Sequence, residues 1–249
     1  MKIKTIICVF GLVLIGACKP DECPPENTED GTHLTIKFRP TYASNALAWG
    51  NQYITAANDT ITFDKVKFLL SGFILEKTDG KLVTLDNAYA YMALKDGRDS
   101  VILKNVPKGD YKSVRFMVGL DSAINHGDPA RWGLDHALSP SLNEMHWGWS
   151  GGYIFNVLEG YYKNNGVNAG YSFHVATDKN TRFHSFVYDY KINKSSKFVF
   201  EVKLDKYFNN NVNYSLKTDG AFSHSGEVDP VMDKFMMNMN GIFELESFQ

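Results

Sequence analysis

Apolar residues return at every second position in one segment after another of this 249-residue chain, a period that specifies strands and argues against amphipathic helix over the same segments. Leu34, Ile36 and Phe38 fall on one face, as do Val66, Phe68 and Leu70. Val114, Phe116, Val118 and Leu120 repeat the pattern, and so do Phe198, Phe200, Val202 and Leu204. Because successive strand side chains point to opposite faces, each segment reads as a half-buried strand. Weaker candidates run over residues 81–92, 100–105, 152–159, 171–177, 183–192 and 241–248.

Turn chemistry separates these runs: Thr78-Asp79-Gly80, Pro107-Lys108-Gly109-Asp110, Asn164-Asn165-Gly166 and Asp178-Lys179-Asn180. Seventeen Phe, thirteen Tyr and four Trp supply side chains that favour pleated, half-buried surfaces. The expected fold is all-β, an antiparallel β-sandwich or partly closed barrel of about ten short strands with long loops. A short C-terminal helix is expected over residues 229–240, where an acidic cap precedes a proline. Its Met232, Met236 and Met239 read as core packing, a common use of the flexible thioether.

The first residues, Met-Lys-Ile-Lys, an apolar run from Ile6 to Ile15 and Gly16-Ala17, follow signal-peptide order. The run is too short for a spanning helix, which needs about 20 apolar residues. Ile15-Gly16-Ala17-Cys18 resembles a bacterial lipobox, so Cys18 is expected to carry lipid. Acyl chains anchor at about 0.8 kcal/mol per buried methylene, and two or more hold stably. Residues 1–17 are thus expected to be the signal, 18–31 a lipidated cysteine with a proline-rich acidic tether, and 32–249 one domain. The expected location is extracytoplasmic and membrane-anchored, at the periplasmic or surface face of the outer membrane. Cys23 would be left without an intramolecular disulfide partner.

Basic and acidic residues number 26 and 28, for a net charge of −2, which gives no electrostatic basis for nucleic-acid binding. A Gly-x-Ser-x-Gly elbow, a His-Glu-x-x-His pair and a phosphate-cradling loop are all missing, and the expectation is no enzyme.

Residues 121–160 differ from their surroundings: the first half carries Gly, Pro, Asp and Asn without steady alternation and reads as a loop of at least about 25 residues between strands, a length that is uncommon unless the loop is functional. It holds His126, His136 and His146, together with Trp132, Trp147 and Trp149. Imidazole suits copper, zinc, iron and nickel. Outside the loop, Tyr171, Phe173 and Val175 alternate, which leaves His174 on the opposite strand face. A rigid strand is a good support for a ligand, and also an ordinary place for an exposed histidine. The alternative expectation is a metal-free surface module that binds a carbohydrate or protein partner through the aromatic loop.

Several stretches together resemble the MbnP-like copper-binding domain family. They are Tyr-Lys-Ser-Val-Arg-Phe-Met-Val-Gly from Tyr111, the turn from Asp121 to Asn125, Pro140-Ser141-Leu142-Asn143, and Met145-His146-Trp147-Gly148-Trp149-Ser150-Gly151-Gly152-Tyr153-Ile154-Phe155. Glu159-Gly160, Phe173-His174-Val175 and Asn240-Gly241-Ile242-Phe243 follow in order, so that the likeness spans residues 32–249. The resemblance implies an exported β-rich protein that captures or buffers copper as Cu(I). It also implies ligation by two histidines and an oxidised tryptophan, with a copper-uptake system or di-haem oxidase as partner. In some members a tryptophan and a ligand histidine lie two residues apart on an early strand, where this chain has Leu69 and Ser71. The family resemblance and the residue types therefore nominate His146 and His174 as metal ligands, with Trp147 or Trp149 beside them.

Overall fold

A computed structural model describes residues 32–148 and 151–249. The signal segment, Cys18, the tether and Trp149 lie outside them. The described residues fall within one compact unit, Gly31–Gln249, and none of their helices is long and apolar enough to cross a membrane.

Two open sheets carry the fold. Among the described residues the smaller has five strands and the larger nine. The spine of the smaller runs Phe243–Phe248, Ser196–Lys203, Thr32–Tyr42, with Ser100–Val106 on the far edge of Thr32–Tyr42. The spine of the larger runs Arg182–Ile192, Gly109–Val118, Thr60–Lys77, Ile154–Asn164, Val167–Ala176, Phe222–Ser223. The sheets meet through the rings that the alternation puts on their inner faces. Phe116 of the larger sheet lies edge-on to Phe38, Phe200 and Phe243 of the smaller, with centroids 5.7, 5.6 and 5.3 Å away. Such geometry contributes about 0.5–1.5 kcal/mol per pair beyond area burial.

Two pairings depart from the expected antiparallel order. Thr32–Tyr42 runs parallel to Ser196–Lys203, and Val167–Ala176 runs parallel to Phe222–Ser223. An apolar face is the same whichever way a neighbour runs, so alternation alone cannot set strand direction. Thr60–Lys77 is also longer than its pattern suggests, at 18 residues. Register breaks between Phe63 and Lys65 and between Ser71 and Ile74 reset which residues face inward; Gly72, with φ of 60°, supplies the second. Residues 81–92 divide into Leu82–Thr84 and Ala90–Ala93. At Asn165 and Gly166, both with positive φ, a two-residue turn joins Ile154–Asn164 to Val167–Ala176.

The C-terminal helix is Pro230–Met236, capped by the Asp229 carboxylate, which accepts the Met232 N–H at 2.8 Å. Met232, Met236 and Met239 are buried. Among the described residues, the segment after Gly119 contains three short helical turns, Ser122–Asn125, Pro129–Arg131 and Pro140–Asn143, before strand resumes at Ile154. It crosses the outer face of the larger sheet, where Glu144 pairs with Lys67 at 3.5 Å. This cover explains why Leu69 and Ser71 are buried although their parity points them away from the inter-sheet core.

Candidate functional site

His174 stands on Val167–Ala176. Phe173 is buried and stacks on Phe235 at 4.2 Å, so the strand's alternation turns Ser172 and His174 to the outer face. Register carries that face across the neighbouring strands: Glu159 lies opposite Ser172, and Val157 opposite His174. On the other side Phe222 lies opposite Ser172, and His224 follows two residues later on the same parity.

The result is a pair of imidazoles. His174 Nδ1 and His224 Nδ1 are 3.0 Å apart, with ring centroids separated by 4.7 Å and planes inclined at 64°. The Trp147 ring lies 6.2 Å from that of His174 and 6.1 Å from that of His224. Behind His174, its Nε2 is 2.7 Å from Glu159 Oε1 and 3.1 Å from Ser172 Oγ. The other Glu159 oxygen takes Lys65 Nζ at 2.9 Å.

Glu159-Gly160 owes part of its form to the backbone. A Cβ on Gly160 would stand 1.9 Å from the Thr62 carbonyl oxygen. The absence of one lets Ile154–Asn164 close onto Thr60–Lys77, while the Tyr171 hydroxyl reaches over to donate to Thr62 O at 2.9 Å. Glu159 is thereby set on a strand fixed from both sides.

Electrostatics act on Glu159 behind the pair and on His224 within it. Burial pushes the Glu159 carboxyl up, but hydrogen bonds from His174 and Lys65 outweigh it and hold the group below the ordinary carboxylate range. Burial, then the neighbouring His174, push His224 down against the opposing pull of Asp229 and Glu159. A neutral imidazole offers a lone pair, and two such nitrogens suit copper or another imidazole-preferring metal rather than calcium or magnesium. Among the described residues no group of three or more His, Cys, Asp and Glu side chains is placed to hold a metal. What the geometry offers is a two-imidazole set with an indole beside it.

Of the residues nominated from sequence, the structure brings Trp147 and His174 together and adds His224. His146 faces elsewhere. It lies on a hairpin arm in which Trp147 N–H donates to Gly152 O at 3.0 Å and Ile154 N–H to Met145 O at 2.9 Å. Adjacent residues of an extended arm point to opposite sides, so the turn that aims Trp147 at His174 sends His146 onto Tyr153. Their centroids are 4.5 Å apart and edge-on, and His146 Nδ1 accepts the Gly148 N–H at 2.9 Å. Burial lowers the His146 pKa. At the early-strand positions, Leu69 is fully buried and the Ser71 hydroxyl donates to Gly119 O at 2.7 Å.

The hairpin is held from below. Asn125, itself buried, accepts the Tyr153 N–H at 2.8 Å through Oδ1 and donates through Nδ2 to Asp178 at 2.7 Å. Elsewhere in the loop Trp132 stacks on His136 at 4.1 Å and carries Arg131 over its ring at 4.2 Å. His224 carries no alternation signal in the sequence because the strand just before it, Phe222–Ser223, is only two residues long. The one available sign was local: Ala221, Ser223 and Ser225 are small and buried, while Phe222 and His224 between them are exposed.

The family model of MbnP matches residues 31–225, a span that includes Trp147, Glu159, His174 and His224. Among solved structures, MbnP from Methylosinus trichosporium superposes with a TM-score of 0.53 at 15% identity, covering 79% of this chain and 81% of that one. At that identity the likeness speaks for the fold alone. No curated protein matches the chain. The match of the family model over most of the sequence, on a β-rich fold shared with a solved member, places this chain in the MbnP family.

Proposed function

We propose that the protein is a membrane-anchored, extracytoplasmic copper-binding lipoprotein that captures or buffers the ion without catalytic turnover. The observation that carries this reading is the His174–His224 pair, with two Nδ1 atoms facing each other at 3.0 Å beside the Trp147 ring. Copper bound there would be Cu(I), whose preference for few, polarisable donors suits two neutral imidazoles. In this reading His174 is the strand-borne ligand, His224 its partner from the segment that directly follows the short strand Phe222–Ser223, and Trp147 a wall that limits access. The lipid on Cys18 and an outer-membrane location belong to the same proposal and rest on the signal-like N-terminus. A copper-uptake system or a di-haem oxidase would be the partner that the family implies.

The test is metal analysis of the protein purified from copper-supplemented cells, alongside His174→Ala, His224→Ala and His146→Ala. The expected result is about one copper per chain in the parent and in His146→Ala, with loss in the other two. Retention of copper by the His174→Ala, His224→Ala double variant would refute the assignment. A metal-free parent would favour the aromatic loop as a carbohydrate- or protein-binding surface.

A further inference from the structure

We infer that Glu159 is a positioning residue that fixes which nitrogen of His174 faces the metal site, and that in the metal-free protein one imidazole proton occupies the place between the two rings. The inference rests on the copper-binding reading of the pair.

The argument starts from proton counting. A carboxylate can only accept, and Glu159 Oε1 is 2.7 Å from His174 Nε2, so Nε2 must carry the hydrogen. Ser172 Oγ, 3.1 Å from the same nitrogen, is then a second acceptor. A neutral His174 with hydrogen on Nε2 has its lone pair on Nδ1, the atom directed at His224. Two lone pairs at 3.0 Å would repel, so the contact between the Nδ1 atoms requires a hydrogen on His224 Nδ1. Metal-free, the pair is therefore closed by an N–H···N bond from His224 to His174.

Metal binding then makes unequal demands on the two rings. His174 already presents a lone pair and keeps its hydrogen on Nε2. His224 must relinquish its Nδ1 hydrogen, and remains neutral if a hydrogen is taken up at its Nε2. Lys65, at 2.9 Å from Glu159 Oε2, keeps the carboxylate oriented. The close strand approach at Gly160 fixes the backbone that carries it. A carboxylate behind a ligating histidine orients the ring and raises its basicity, and loss of such a partner costs about 10- to 100-fold in metal affinity.

The experiment compares the parent with Glu159→Gln and Glu159→Leu by two readouts. Long-range proton–nitrogen correlation spectra of the metal-free proteins report the tautomer of His174 and His224, and competition with a chromophoric Cu(I) chelator reports affinity. The parent should show hydrogen on Nε2 of His174 and on Nδ1 of His224. Glu159→Leu should lose the fixed His174 tautomer and about 10- to 100-fold in affinity at an unchanged unfolding transition. Glu159→Gln, whose amide oxygen can still accept the Nε2 hydrogen, should restore the tautomer and most of the affinity. Hydrogen on Nδ1 of His174 in the parent would overturn the inference, as would a Glu159→Leu variant with unchanged tautomer or unchanged affinity. Absence of Cu(I) binding in the parent would sink the copper reading instead, while the spectra of the same metal-free samples would still decide whether Glu159 sets the ring.

Discussion

His184 gives a stability prediction with a sign and a size. Its ring is buried between the sheets, 4.8 Å from Phe243 and 5.7 Å from Phe116, and its Nε2 has no hydrogen-bond partner among the described residues. Burial, helped by Arg182, pushes its pKa down to about 4 from the ordinary 6.5. A depressed folded-state value for a base means that the unfolded chain takes up the proton first as pH falls. Stability is therefore fullest above the unfolded value and declines through the window between the two. Integrating over the two titrations gives a loss of about 2 kcal/mol from this residue between pH 7 and pH 5. His184→Leu removes the titration. At pH 7 it should change stability by no more than about 1 kcal/mol, because an unpartnered buried nitrogen is exchanged for an apolar group. Urea unfolding followed by tryptophan fluorescence, on parent and variant at both pH values, measures the difference directly, and remote carboxylates cancel in the comparison. The gap between variant and parent should move by about 2 kcal/mol in the variant's favour at pH 5. A gap equal at the two pH values would refute the argument and mean that the imidazole is protonated or solvated within the fold.

Other substitutions test the frame around the site. Gly160→Ala would force a methyl group into the Thr62 carbonyl, and should cost upward of about 2 kcal/mol. For a domain of this size that corresponds to a fall of roughly 4–8 °C in Tm, and copper affinity should drop with it as Glu159 shifts. Phe116→Ala removes the ring shared by Phe38, Phe200 and Phe243, and calorimetry should register a loss of about 3–5 kcal/mol. Asn125→Ala leaves the buried Tyr153 N–H without its acceptor, at about 1–3 kcal/mol. Limited proteolysis should then cut residues 121–153 faster than in the parent, with the sheets intact; an unchanged cleavage rate would show that Asn125 does not pin the hairpin.

The strands were legible because burial of one face is a local property of residue order. Phe38, Phe68, Phe116 and Phe200 could each be placed on an inner face by parity alone, and the structure puts them there. The helix start at Asp229-Pro230 was legible for a similar reason, since a cap and an N-terminal proline act within one turn. Strand direction was not, and neither were the bulges near Asp64 and at Gly72, because these depend on which segment arrives alongside. The site divides along the same line. His174 could be put on an outer face from Tyr171, Phe173 and Val175, and the loop from Asp121 could be recognised by its broken alternation. Which imidazole His174 meets depended on the parallel docking of Phe222–Ser223 against Val167–Ala176, a pairing between segments about fifty residues apart. Residue order is enough for a β-rich chain with His174 on an outer strand face and Trp147 in the loop of broken alternation; that Trp147 and His224 meet at His174 while His146 turns to Tyr153 follows from the packing in three dimensions, because side-chain parity is written locally whereas the partner across a sheet is chosen by register between distant strands.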